Sequence, residues 1–100
     1  MDRNVKEDIQ MEFIHEGKAF RHYNAAGEMD AEITYVPKGE GVIEANHTFV
    51  DPSIRGQGVA HQLVDQLADF ARKENLKIYP TCPYVVALFE KSTEYDDLKI

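Results

Sequence analysis

Residues 42 to 80 constrain this chain more than any other stretch. They read "VIEANHTFV", then "DPSIRGQG", then "VAHQLVDQLADFARKEN", then "LKIYP". The first segment alternates branched or aromatic residues with polar ones, the pattern of a strand. Asp51, Pro52 and Ser53 break it. Apolar residues then fall at Val59, Ala60, Leu63, Val64, Leu67, Phe70 and Ala71. That three-to-four spacing predicts an amphipathic helix of about 16 residues. Asp65, Asp69, Arg72 and Lys73 fall on its wet side, and Asn75 stands where a C-terminal cap is expected. Strand, helix and strand in this order predict a right-handed crossover between parallel strands.

The upstream half supplies the partners of the first strand. "MEFIHEGKAFRHYN" holds two short extended segments around a turn at Glu16 and Gly17, the second from about residue 18 to residue 23. "NAAG" is a turn. In "EMDAEITYV", Met29, Ala31, Ile33 and Tyr35 share one face, while Glu28, Asp30, Glu32 and Thr34 share a wet one. Pro37 to Gly41 is expected to end that strand. In the next strand, alternation places Ile43, Ala45, His47 and Phe49 on one face, and Val42, Glu44, Asn46, Thr48 and Val50 on the other. The two pair antiparallel across the short turn. Downstream, "YVVALFEKS" is a second, shorter helix starting near Thr81 or Pro83, and "TEYDDLKI" a polar tail with a few docking side chains. Residues 1 to 10 are polar, with Val5 and Ile9 able to dock. The expected fold is a mixed α/β (α+β) layer with a mostly antiparallel sheet, a long helix and a shorter C-terminal one.

The chain length of 100 residues suits one domain, residues 1 to 100, and 43% apolar content suffices for a core without staples. Cys82 is the single cysteine, which excludes an intramolecular disulfide. The start "MDRNVKEDIQ" is charged and no apolar run approaches a membrane span, so a cytoplasmic location and no membrane partner are expected. With 11 basic against 18 acidic residues, the net charge of −7 argues against a broad nucleic-acid surface. A local anion site remains open to such a chain, because backbone amides and one arginine can build it.

The junction "RGQGVA" has that chemistry. Gly56 and Gly58 permit a tight turn. The first amides of the following helix lack internal partners and sit at its positive end. Arg55 adds charge-assisted hydrogen bonds, and the small Ala60 leaves room for a ligand. The same turn can also serve only to change direction, and the residues alone leave both readings open. Neither a P-loop nor a dinucleotide fingerprint is present, since His61 stands where the third glycine would be.

These residues resemble the acyl-CoA-binding signature of the GCN5-related N-acetyltransferases: Arg or Gln, two variable residues, Gly, one variable residue, then Gly or Ala. Arg55, Gly58 and Ala60 fill its fixed positions. With "EANHTFV" before it and "KIYPTCPYV" after it, the chain is similar to a very small single-domain subgroup of that family, from about residue 18 to residue 95. The resemblance implies a compact acyl-CoA N-acyltransferase-like fold and acetyl-CoA as acyl donor. It implies a pyrophosphate held at Arg55, Gly56, Gln57, Gly58, Val59, Ala60 and His61, and a pantetheine arm along a splayed strand ending at Phe49 and Val50. The long N-terminal helical region of full-length members is missing, which leaves the amine acceptor open.

Three further side chains are candidates for the chemistry. Cys82 lies at a strand end and helix start, where a thiol is acidified. By itself a lone cysteine is more often a small buried hydrophobe. The small subgroup carries a cysteine here, which implies an acyl nucleophile or a wall of the thioester pocket. His47 is either a satisfied core residue or a general base for an amine or for Cys82. Tyr84 corresponds to a family tyrosine that protonates the departing CoA thiolate. His15 and His22 have weaker claims, and none of the four histidines shows metal-ligand spacing, so no metal is expected. Glu44, Asp30 and Glu32 read as solvated charges able to attract a cationic amine. The expected activity is acetyl transfer to an amine, directly or through Cys82, by a monomer or weak homodimer. The alternative is a non-catalytic CoA-binding or protein-interaction module.

Overall fold

A computed structural model describes residues 11–100 of the chain. The readings for Val5 and Ile9 lie outside the described residues. Five strands form one sheet in sequence order. They are β1 (Ile14–Glu16), β2 (Ala19–Tyr23), β3 (Met29–Gly39), β4 (Val42–Val50) and β5 (Lys77–Pro80). The first four are antiparallel, whereas β5 runs parallel to β4 after the crossover helix α1 (Val59–Glu74). Helix α2 (Pro83–Lys91) follows β5 directly. Asn75 closes α1 in the left-handed conformation at φ 64°, and its amide donates to Ala71 and Arg72. This bears out the cap expected there. Among the described residues no helix is long and apolar enough to cross a membrane.

Three local expectations are corrected. Strand β3 runs through Pro37 to Gly39, because Pro37 sits beside a register shift, where a missing N–H is tolerated. Asp30 is buried, not solvated: it is the extra residue where Tyr23 opposes Met29 and His22 opposes Ala31, and its Oδ1 lies 2.6 Å from His22 Nδ1. The third change matters most for function. Thr34 pairs with His47 but Tyr35 pairs with Ala45, so Asn46 is an extra residue in β4. A bulge reverses the side-chain alternation beyond it. Thr48 and Val50 therefore oppose Ile33 and Ala31 on the core face, while His47 and Phe49 oppose Thr34 and Glu32 on the other.

The core lies on one side of the sheet. Helix α1 buries Val59, Leu63, Val64, Leu67, Ala68 and Ala71 against Ala31, Ile33, Tyr35, Ile43, Ala45 and Ile78. Val85, Leu88 and Phe89 of α2 join the same cluster, as do Tyr95 and Leu98. Both helices thus cover one face, and the opposite face carries no helix among the described residues. The tail is docked by charge as well as by apolar contact. Arg72 donates twice to Asp97, at 2.9 and 3.1 Å, and once to the Glu94 carbonyl at 2.9 Å.

Leu67 is completely buried between α1 and the sheet. Leu67→Ala removes that packing and leaves a cavity, so it is expected to cost about 2–5 kcal/mol. Urea unfolding of both chains measures the difference, and a loss below about 1 kcal/mol contradicts this account of the core.

Candidate active site

The site begins where β4 and β5 part. The two strands pair from Val42 with Lys77 to Ala45 with Pro80. The Ala45 carbonyl then accepts from both Thr81 N and Cys82 N, each at 3.0 Å. Beyond it the chain turns into α2 while β4 continues to Val50. The bulge at Asn46 falls at the fork. On the edge away from β3, residues 46 to 50 therefore border an opening rather than a neighbouring strand.

At the far end of this opening lies the glycine-rich turn. Asp51 folds it by accepting from Ser53 N at 3.0 Å and from Ser53 Oγ at 2.6 Å. These bonds hold the Asp51 carboxyl below its ordinary pKa. Residues Pro52–Ile54 make one tight helical turn. Gly56 and Gly58 follow at φ 81° and 75°. A Cβ at either position would meet no atom within 4 Å, so backbone angle and not crowding requires glycine there. The first amide bonded inside α1 is Gln62, to the Gly58 carbonyl at 3.1 Å. The amides of Val59, Ala60 and His61 thus have no intrahelical acceptor. Gly58 offers no side-chain cap to compete for them. Arg55 Nε donates to the Val50 carbonyl at 2.9 Å, which fixes the arginine at the end of β4 beside these amides. Together they form a positive, solvent-facing cradle that suits an anion.

Cys82 stands at the fork itself. It is the N-terminal cap residue of α2, with Pro83 at the first helical position, and is only 6% exposed. Thr48 Oγ1 lies 3.3 Å from its Sγ. Burial pushes the thiol pKa up. The Thr48 hydroxyl and the amides of Val85, Tyr84 and Thr48 outweigh burial, and the net direction is downward. A thiol set this way reaches its nucleophilic form more readily than an ordinary buried cysteine.

The other sequence candidates divide. Tyr84, half-exposed in the first turn of α2, has its pKa raised by burial and by Asp65 of α1. Its phenol keeps its proton and is a donor. His47 is on the open face, with Nε2 3.5 Å from Glu32 Oε2 and more than half its side chain exposed. The expectation that it lies on the apolar face with Ala45 is overturned by the Asn46 bulge. The structure does not bring His47 and Cys82 onto one face. Phe49 is likewise turned to the open face, whereas Val50 borders the core and anchors Arg55. Glu32 joins a chain of charges on the open face: Arg21 Nε donates to Glu32 at 2.8 Å, and Tyr23 Oη donates to Glu16 at 2.6 Å. Glu44 accepts from Thr81 Oγ1 at 2.7 Å and supports the fork instead. Thr48 was not a sequence candidate. Simple alternation turned it away from the core, and only the bulge brings it to Cys82.

A groove of about 610 Å³ runs along β5 and α2, lined by Ile78, Tyr79, Val86 and Phe89. No cradle residue lines it. Neither Cys82 nor Thr48 lines it either.

Comparison with known proteins places this geometry. The sequence profile described as GCN5-related N-acetyl-transferase matches residues 19–98. The chain belongs to that family. Among proteins with curated records, it is similar to "Protein NATD1" of Gallus gallus, 34% identical over 55 residues, or 55% of this chain and 50% of that one. The chain thus matches about half the length of these relatives. Among solved structures, a GCN5-like protein from Staphylococcus aureus superposes with a TM-score of 0.76 at 30% identity, covering 89% of this chain and 87% of that one. Rv2747 from Mycobacterium tuberculosis, solved in complex with CoA, gives 0.60 at 20% identity, covering 73% and 46%. The last likeness is one of fold alone.

The Cys82 thiol is expected to titrate below its ordinary value, because the Thr48 hydroxyl and the nearby amides favour the thiolate. Because its pKa is lowered by folding, the resulting stabilisation is full above the unfolded value and is lost as pH falls through the folded one. Thiolate absorbance followed against pH measures the midpoint. Thr48→Val, which removes the hydroxyl, is expected to move that midpoint upward, and an unchanged midpoint in this variant denies Thr48 its role.

Proposed function

We propose that the chain is an acetyl-CoA-dependent N-acetyltransferase. The observation that carries this reading is the alignment of an anion cradle, a strand edge and a lowered thiol along one opening. In this reading the CoA pyrophosphate rests on the amides of Gly56 to His61 with Arg55 alongside. The pantetheine arm follows residues 46 to 50 of β4, using backbone groups that no strand occupies. Its thioester then reaches the fork at Ala45, Thr48 and Cys82. Two proteins sharing the fold are solved in complex with CoA, which supports CoA as the ligand.

Transfer through Cys82 is the route that its environment supports. The Cys82 thiolate attacks the thioester carbonyl, and the tetrahedral intermediate collapses by breaking the bond to the CoA sulfur. Tyr84, with its proton retained, protonates the CoA thiolate as it leaves. An amine then attacks acetyl-Cys82, the cysteine thiolate departs, and the amine loses a proton to a base. His47, held by Glu32 on the open face, suits that second step if the amine approaches across this face. It does not suit deprotonation of Cys82. Direct attack of the amine on the bound thioester is the second reading. It is favoured by the same absence of a histidine beside the sulfur. The net charge of −7 and the Glu16 and Glu32 carboxylates favour a cationic amine as acceptor.

Calorimetry with CoA tests the cradle. Arg55→Ala is expected to weaken binding about tenfold or more, from the loss of a charge-assisted hydrogen bond. Gly58→Ala forces a Cβ into the left-handed region, at a cost of about 1–2 kcal/mol, and is expected to weaken it by roughly tenfold. No heat of CoA binding by the parent chain rejects the proposal.

The covalent route has its own readout. Intact mass after incubation with acetyl-CoA should rise by about 42 Da, the mass of an acetyl group replacing hydrogen, and Cys82→Ala should abolish the gain. Amine acetylation that proceeds in Cys82→Ala at the parent rate assigns direct transfer. CoA binding with no acetylation of any amine assigns the non-catalytic module.

A further inference from the structure

We propose that His61, Asp65 and Glu94 form a binding site for one divalent transition-metal cation with the coordination habits of zinc. His61 and Asp65 are one helical turn apart near the start of α1, and Glu94 comes from the segment after α2. His61 Nε2 lies 3.7 Å from Asp65 Oδ1 and 3.8 Å from Glu94 Oε1. Both distances are too long for hydrogen bonds. The Nε2 atom is nevertheless buried and has no hydrogen-bond partner. Three ligand atoms therefore converge without bonding one another, one of them a nitrogen shielded from water.

The spacing fits an ion. One ligand atom from each residue lies within 4.8 Å of the others. Sides of 3.7, 3.8 and at most 4.8 Å give a common centre about 2.4 Å from each atom or closer. Zinc bonds to nitrogen and carboxylate oxygen are about 2.0–2.2 Å, so a small inward turn of the carboxylates completes the contact. Histidine nitrogen and carboxylate oxygen are both zinc ligands, and three protein ligands leave one position for water. The nitrogen donor disfavours calcium and magnesium, which take oxygen.

The surroundings hold the ligands in place. Tyr95 Oη donates to Asp65 Oδ1 at 2.5 Å and so orients that carboxylate. Glu94 is fixed through its backbone at both ends: its amide donates to Ser92 Oγ at 3.1 Å, and its carbonyl accepts from Arg72 at 2.9 Å. The Glu94 side chain is 61% exposed, which leaves an entry path. The histidines show no metal spacing in sequence because two of the ligands are carboxylates and one arrives from beyond α2. A bound ion would tie the C-terminal segment to α1, immediately behind the anion cradle. This site is independent of the acetyltransferase reading.

The test uses the full chain stripped of metal by a chelator. Zn²⁺ titrated by calorimetry is expected to bind at one ion per chain. At 100 times its Kd, the ion raises the folded-to-unfolded ratio about 100-fold, a Tm increase of roughly 10 °C or more. Both effects are expected to vanish in His61→Ala and in Glu94→Gln. The second change keeps the backbone contacts of Glu94 and alters an exposed side chain, so folding is not in question. Co²⁺ should give the visible absorption of a low-coordinate ion in the parent chain only, while Ca²⁺ and Mg²⁺ should leave Tm unchanged. The absence of any Zn²⁺-dependent Tm shift overturns the proposal. So does a full shift in Glu94→Gln, which places the ion elsewhere.

Discussion

One carbonyl organises the site. Ala45 O accepts the amides of both Thr81 and Cys82, where the backbone pairing between β4 and the chain leaving β5 ends. A parallel pair that continued past this point would bury the β4 edge and leave no opening. Here α2 starts at once, with Pro83 as its first residue, so β5 cannot extend. The extra residue at Asn46 twists β4 away at the same level. Termination of one strand and bulging of the other produce the fork together.

The fork also explains how so acidic a chain presents a local positive field. Each of the two helices begins just beyond the carboxyl end of a strand, and β4 and β5 point the same way. Both helix N-termini therefore lie at the same end of the sheet. One set of free amides faces the turn at Gly58, and the other acts on the Cys82 sulfur. Fixed backbone dipoles do at short range what the net charge of −7 opposes at long range. The arrangement needs one cation, Arg55, where a site built from side-chain charge would need several.

Much of this is legible in the sequence. Periodicity located α1 and its αL cap at Asn75, and the strand–helix–strand order predicted the parallel pair. The glycines announced the turn because positive φ has a compositional signature. Parity was harder to read. A bulge leaves no mark in "VIEANHTFV", and strict alternation put His47 on the apolar face and Thr48 on the wet one. Two consequences followed from one unseen residue: a proposed His47 partner for Cys82 was misplaced, and its actual neighbour, Thr48, was missed. Asp30 was misread for the same kind of reason, since its pairing with His22 depends on the second bulge. Long-range partners such as Glu94 for His61 lie beyond any local pattern.

The tail, which reads as polar with a few docking side chains, joins the two helices to one another. Tyr95 is 1% exposed and stacks on Phe89 of α2, with ring centroids 5.0 Å apart. Its hydroxyl bonds Asp65 of α1. Burial, the Asp65 bond and nearby negative charge all push the Tyr95 pKa up, so it stays a donor across the physiological range. A single side chain thus couples one helix to the other. Asp65 also lies close enough to raise the pKa of Tyr84 at the start of α2. Two phenols, Tyr84 and Tyr95, thus lie within electrostatic reach of one carboxylate of α1. The Tyr95–Asp65 bond, backed by the Arg72 grip on residues 94 and 97, ties the segment after α2 to α1 and, through the Phe89 stack, to α2.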